Sequence, residues 1–214
     1  MKRNLTRLDR TPARRRWTSH VAAAGLGLAA LAAAPHAGAL EPPPVPSDIV
    51  VPADHRLFRA EHAVGTQNYV CLPSTLNPPV AWLLHGPQAT LFRAEGRQNA
   101  THFLSPNPDQ GGALRATWQD SRDSSAVWAV MAEQSSDPAY VHPDAIAWLL
   151  LDVVGTEAGP KGGRSLTRTA SLQRINTVGG KAPATGCATV NDIGNRQFVP
   201  YEADYLFYKS TARD

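Results

Sequence analysis

The segment Leu166–Thr177, with the sequence LTRTASLQRINT, alternates between apolar and polar side chains and decides the fold class. Its apolar positions, Leu166, Ala170 and Leu172, share one face. A period of two is typical of a half-buried β-strand, whose successive side chains point to opposite sides. We therefore expect a strand here, followed by the Gly/Pro loop Gly179–Cys187.

Short alternating or apolar segments of the same kind recur along the chain, separated by Gly, Pro, Asn and Asp. They are Arg56–His62, Gln67–Leu72, Val80–His85, Ala89–Ala94, Thr101–Leu104, Leu114–Gln119, Ala126–Ala132, Ile146–Val154 and Ala203–Lys209. The segment Ser124–Glu133 also has apolar residues at helical spacing, but we favour a strand there. The pattern predicts an all-β domain, an antiparallel β-sandwich or barrel of about ten short strands with long Gly/Pro loops.

The charge of the chain is unevenly distributed. The formal net charge of the chain is +3, but residues 1–39 carry seven basic residues and one acidic residue, which leaves −3 on residues 40–214. Within residues 1–39, the basic stretch is followed by the uncharged run Val21–Ala34 and then by Ala37-Gly38-Ala39. This order is typical of a secretory signal peptide. An apolar run of about 14 residues is short for a membrane span, which disfavours a retained anchor.

The signal-peptide pattern and the prolines after it divide the chain into three predicted regions. Residues 1–39 are predicted to be a signal peptide cleaved after Ala39, residues 40–48 a Pro-rich spacer, and residues 49–214 a single secreted β domain. We expect a secreted or periplasmic protein. The pair Arg15-Arg16 leaves twin-arginine export open beside the favoured general route.

The two cysteines, Cys71 and Cys187, both lie after the predicted cleavage point. In an exported chain a disulfide between them is the expected state. Phosphate-binding glycine motifs, zinc-protease motifs and the hydrolase Gly-x-Ser-x-Gly motif are absent from the sequence. We therefore predict no cofactor and no metal site. The acidic mature chain also lacks basic patches interleaved with aromatic residues, so nucleic acid is not an expected partner.

Candidate functional residues come from the densest polar and aromatic stretches. Trp118 and Trp128 flank a run of hydroxyl and carboxyl side chains and are candidates for stacking on a ligand. Asp120 and Asp123 are candidates for an acid–base pair with His102, although two aspartates three residues apart favour a tight turn. Arg174 is a candidate for binding an anion, with an ion pair to Asp123 or Asp204 as the favoured alternative.

Six segments, taken in order, resemble a secreted bacterial and fungal family known as domain of unknown function 3455. They are Gly65–Cys71, Gly86–Phe92, Ser121–Trp128, Ile146–Leu151, Gln173–Pro183 and Val199–Tyr205. The resemblance covers about residues 50–209. It implies no activity and no catalytic residues. Some fungal members carry a malate dehydrogenase label, which this sequence does not support because it has no nucleotide-binding glycine motif.

The sequence thus favours a β domain that binds a glycan or small molecule, or coats a surface, through Trp118, Trp128 and Arg174. The alternative is an extracellular hydrolase of glycan or ester bonds, with His102 and Asp120 or Asp123 as acid and base. A divalent-metal protein built on His102 is a third, weaker hypothesis. The sequence does not specify an oligomeric state.

Overall fold

The computed structural model describes residues 40–75 and 78–212 of the chain, and eight β-strands make up most of its regular structure. Three 3-10 helices of three residues each, Ser47–Ile49, Pro108–Gln110 and Val190–Asp192, lie between or before the strands. The strands are β1 (His55–Pro73), β2 (Val80–Phe92), β3 (Gln98–Asn107), β4 (Ala113–Asp120), β5 (Ala126–Ser135), β6 (Trp148–Glu157), β7 (Ser171–Gly179) and β8 (Arg196–Ser210).

The strands form a closed antiparallel barrel in which each strand pairs with its neighbours in sequence, and β8 pairs with β1. The predicted all-β class is confirmed, and the barrel is the form it takes. Because the first and last strands, β1 and β8, pair with each other to close the barrel, neither presents an unpaired edge along this seam. The seam is extensive, running from His55 opposite Ser210 to Val70 opposite Arg196.

Eight strands replace about ten because two pairs of expected segments are continuous. Arg56–His62 and Gln67–Leu72 both lie in β1, and Val80–His85 joins most of Ala89–Ala94 in β2. The pairing of β1 with β2 shifts register between Asn68 and Tyr69, where His85 of β2 is left without a partner, and this interrupts the period of two in β2. A bulge therefore looks like a break when only the alternation is visible.

The structure settles the local expectations for Leu166–Thr177 and Ser124–Glu133. The strand expected at Leu166–Thr177 begins only at Ser171, because Leu166 to Ala170 form a turn in which the Thr169 N–H and hydroxyl both donate to the Leu166 carbonyl. The ambiguous segment Ser124–Glu133 contains most of strand β5, as favoured. Its alternation places Val127 and Ala129 in the barrel core.

The core has two parts on opposite sides of the barrel wall. The larger cluster fills the interior and includes Trp118, Leu151, Leu172, Tyr205 and Phe207. The second lies outside the wall, where Leu206 and Tyr208 of β8 are covered by residues around Ile49 and Val141. Strand β8 is therefore apolar on both faces.

The predicted disulfide joins Cys71 at the end of β1 to Cys187 in the loop before β8, with Cα atoms 5.5 Å apart. Backbone hydrogen bonds reinforce the same junction, because Cys71 donates to the Asn195 carbonyl and accepts from the Gly194 N–H. The Pro-rich residues before Ile49 lack strand structure, and Val45 packs against the outer cluster. The predicted signal peptide, residues 1–39, lies outside the described residues.

Candidate functional site

A cavity of about 330 Å³ occupies one end of the barrel, and all eight strands contribute to its lining. This follows from the closed fold, because alternate residues of every strand point inward. Its wall is largely apolar, formed by the side chains of Leu84, Leu104, Ala116, Met131, Leu149 and Leu151. Leu84 and Met131 are 54% and 56% exposed, so they form an apolar rim at the opening rather than part of the sealed core.

Three stacked or crossed rings form a compact aromatic group beside the cavity. His102 stacks on Trp118 with ring centroids 4.1 Å apart and planes 9° from parallel. Tyr205 meets both rings edge-on, at 5.1 Å and 5.3 Å. The strand register explains this arrangement, since His102 and Trp118 are directly opposite each other on β3 and β4. These contacts fix the rings without any ligand.

His102 is held in its neutral form. Its Nδ1 lies 2.8 Å from the Thr117 carbonyl oxygen, and because a carbonyl only accepts, Nδ1 carries the proton. Burial lowers the pKa of His102 from 6.5 to about 3; the hydrogen bond to Thr117 opposes this shift and the charge of Arg174 adds to it. At neutral pH the remaining ring nitrogen, Nε2, is therefore an acceptor.

Arg174 brings a positive charge to the same cavity. It lies on β7 opposite Leu149 of β6 and Tyr205 of β8, and its Nη2 donates to the Ala147 carbonyl at 2.8 Å. No carboxylate of residues 40–75 or 78–212 lies within ion-pair distance of it. The ion pair favoured from sequence is therefore wrong for both named partners. Asp204 instead contacts His62 and Asn176.

Three side chains that line the cavity carry buried N–H groups without a hydrogen-bond partner in the described structure. They are Nε2 of Gln67, Nε1 of Trp118 and Nε of Arg174. Burying an unpaired donor costs free energy, and most such groups in folded proteins are paired. No Asp or Glu side chain is part of the lining in the described residues. The polar part of the cavity is thus rich in donors and carries positive charge.

The two candidate aspartates are engaged elsewhere. Asp120 accepts from Arg59 Nη1 at 2.7 Å and from two backbone N–H groups of the following turn. Arg59 also donates to Glu61 at 2.6 Å, so its charge is compensated on both sides. Phe207 packs under the Arg59 guanidinium. This cluster is a buried ionic network, and Asp120 does not line the cavity with His102.

Asp123 organises a turn. Its carboxylate accepts from the backbone N–H and the hydroxyl of both Ser125 and Ser165. Partial burial acts to raise the pKa of Asp123, but these hydrogen bonds outweigh it and hold the pKa well below its usual value. The turn interpretation that the sequence favoured agrees with these contacts.

Trp128 does not share a surface with Trp118. It lies opposite Thr117, whereas Trp118 lies opposite Val127, so the two indoles belong to opposite faces of the sheet. Trp128 is buried on the outer face, where its Nε1 donates to the Ser105 hydroxyl at 2.8 Å. The structure therefore groups His102, Trp118 and Arg174 and leaves Trp128, Asp120 and Asp123 outside the cavity.

Sequence reasoning missed Gln67 and Tyr205 as cavity residues. Both occupy alternating segments, but the alternation does not show which face is interior or which residue lies opposite. The wall also opens beside the cavity, because β2 and β3 pair only from Ala89 to Phe92 on β2. A groove of about 700 Å³ follows this opening, and it shares five lining residues with the cavity: His85, Gly86, Pro87, His102 and Leu104.

A family model described as "Protein of unknown function (DUF3455)" matches residues 52–209, which include strands β1 to β7, all of β8 but its last residue, and every residue of the cavity. No curated protein and no solved structure gives a significant match to the chain. Within residues 40–75 and 78–212, no helix is long and apolar enough to cross a membrane. The same residues hold no group of three His, Cys, Asp or Glu side chains placed to bind a metal ion, so the hypothesis of a metal site on His102 gains no support.

Proposed function

The chain belongs to the family of proteins described as DUF3455, and since that description assigns no activity, we propose a function from the cavity: the protein binds a small organic molecule inside the barrel. The protein would do so as a secreted or periplasmic domain, which accords with the disulfide. One observation carries the proposal: all eight strands line a cavity with an apolar wall and a few convergent polar groups. Ligand sites usually have this composition, and 330 Å³ lies within their usual range of about 300–1,000 Å³.

The arrangement favours a small molecule over a glycan chain. Sugar binding along a surface needs exposed aromatic faces, whereas Trp118 is fully buried and Trp128 is 5% exposed and faces the other way. The cavity instead offers a confined volume with an apolar entrance at Leu84 and Met131.

The same residues give little support to the alternative hydrolase. A general acid or base works best with a pKa near the working pH, and the pKa of His102 is about 3. No Asp or Glu side chain joins His102 in the described lining of the cavity, and its Nδ1 is occupied by a carbonyl. Asp120 and Asp123 lie in other hydrogen-bond networks.

The test is a small-molecule screen on the full exported protein, read by thermal unfolding and native mass spectrometry. Ala116→Trp fills the cavity from its wall, and Leu114→Trp places the same indole on the same strand at a position that is 61% exposed. We expect hits that bind the wild type and Leu114→Trp alike and lose binding in Ala116→Trp. A screen without hits, or hits that Ala116→Trp binds as well as the wild type, would overturn the proposal.

A further inference from the structure

We infer that the ligand is a monocarboxylate with an apolar body, whose carboxylate sits at Arg174 and whose chain runs along the apolar wall toward Leu84 and Met131. This inference rests on the proposed function and adds the chemical class of the ligand. It starts from the buried side-chain atoms of the cavity lining that have no hydrogen-bond partner within the described residues, which are the N–H groups of Gln67, Trp118 and Arg174. A cavity made for a cation or a donor-rich ligand would present unpaired acceptors instead.

The charge of the cavity points the same way. Arg174 is half-buried, and its Nε is completely buried. Withdrawing a guanidinium from water is costly unless an anion compensates it, and the fold supplies two carboxylates for Arg59 but none for Arg174 within the described residues. The Arg174 charge acts on two rings of the cavity, lowering the pKa of His102 and counteracting the rise that burial causes in the pKa of Tyr205. An anion bound beside Arg174 would therefore meet an uncompensated positive charge.

A carboxylate fits this set of donors. It accepts hydrogen bonds through two oxygens with about four lone-pair positions, and a planar guanidinium donates to both oxygens at once. Arg174 donates one N–H to the Ala147 carbonyl and also hydrogen-bonds Tyr205. Its other N–H groups, among them the unpaired Nε, can donate to a ligand. The Nε2 acceptor of His102 cannot bind a carboxylate oxygen, so the carboxylate belongs on the Arg174 side.

The rest of the cavity specifies the apolar body. Its wall is formed by Leu, Ala and Met side chains, and its rim residues Leu84 and Met131 are more than half exposed despite being apolar. An aliphatic or aromatic chain that extends from the carboxylate would cover them. Dicarboxylates and sugar acids would place a second polar group against this wall.

The experiment compares probes that share one chain and differ in the head group: decanoate, 1-decanol, decylamine and decyl phosphate, titrated into the exported protein by calorimetry. We expect decanoate to bind at least tenfold more tightly than 1-decanol and decyl phosphate, and decylamine not to bind. Equal binding of decanoate and 1-decanol would refute the carboxylate inference while leaving the proposed function intact. Tighter binding of decyl phosphate would also refute it. If no probe and no compound of the screen binds, the proposed function itself fails.

Variants locate the head group. Arg174→Gln removes the charge inside the cavity, and the control Arg168→Gln removes the same charge from an exposed position over Phe58. Arg174→Gln should reduce the preference for decanoate over 1-decanol at least tenfold, while Arg168→Gln leaves it unchanged. Near-ultraviolet circular dichroism verifies folding. If Arg174→Gln does not fold, Gln67→Met offers a second variant, which should weaken decanoate more than 1-decanol. An unchanged preference in the folded variant would place the carboxylate elsewhere and refute the inference.

Discussion

Acidification should weaken the fold through one residue, His102. In the folded protein its pKa is about 3, whereas the ordinary value is 6.5, because the ring is buried against Trp118 and Tyr205. Between these two values the unfolded chain binds a proton that the folded chain excludes. The contribution of His102 to stability is therefore complete above pH 6.5 and is lost as the pH falls toward 3.

The magnitude follows from the size of this window. Each pH unit below 6.5 costs about 1.4 kcal/mol, so at pH 4.5 the folded state should have lost about 2.7 kcal/mol through this single group. Asp123 acts at lower pH. Its lowered pKa stabilises the folded state above pH 3.8, the ordinary pKa of the group, and this stabilisation is lost only as the pH falls below 3.8. Between pH 4.5 and 7 Asp123 therefore contributes little, and comparison with a variant that lacks His102 cancels the contribution of every other titrating group.

The assay is urea unfolding of wild type and His102→Gln, followed by tryptophan fluorescence with the disulfide intact. Glutamine does not titrate, and its amide N–H can still donate to the Thr117 carbonyl, which now accepts from His102. The variant has its own stability, so the relevant quantity is the difference between the two pH slopes. We expect the wild type to lose about 2.7 kcal/mol more than the variant between pH 7 and 4.5. Parallel slopes would mean that folded His102 takes up a proton, so the ring would not be neutral in the folded protein.

Three further changes test the barrel itself. Replacing Cys71 and Cys187 by Ala opens a loop whose ends are 116 residues apart. In the chain-entropy model this should lower the free energy of unfolding by about 5 kcal/mol, which the assay would show as a lower urea midpoint. An unchanged midpoint would contradict this expectation. Gly65→Ala places a Cβ 2.2 Å from the Gln88 carbonyl oxygen, so we expect a loss of about 1–3 kcal/mol in the same assay, and a neutral effect would mean that β1 and β2 separate easily. Arg59→Met leaves two buried carboxylates without their cation and should cost about 3–5 kcal/mol in the same assay; an unchanged urea midpoint would contradict this.

The alternation in the sequence was enough to predict an all-β fold, but not the pairing of the strands. His102 and Trp118 form a stacked pair because β3 and β4 align them, and nothing in either segment alone specifies that register. The same limit explains the error over Trp128. Shifting the register by one residue exchanges the faces of a strand, and β5 places Val127, not Trp128, opposite Trp118.

The local chemistry of turns was easier to predict, because it depends on neighbours in sequence. Asp120 and Asp123 bind the backbone of the turn that contains them, as aspartates at such spacing commonly do. The long-range partners of the same residues, Arg59 and Ser165, could not be inferred from spacing. The hydrolase hypothesis needed these aspartates to be free, and the turn uses their acceptor capacity.

The two arginines of the barrel interior differ in how their charges are compensated: Arg59 belongs to a stabilising ionic network, and Arg174 belongs to the proposed binding site. Arg59 donates to two carboxylates that are almost completely buried, and this network contributes to a closed core. Arg174 has a carbonyl and a tyrosine as neighbours, and no carboxylate among the described residues compensates its charge. A fold selected only for stability gains nothing from an uncompensated cation beside unpaired donors, since apolar side chains of similar size would serve it as well or better. We therefore explain the presence of Arg174 in this cavity by an anion that arrives from solution, and it is this residue, rather than His102 or either aspartate, on which the proposed site depends.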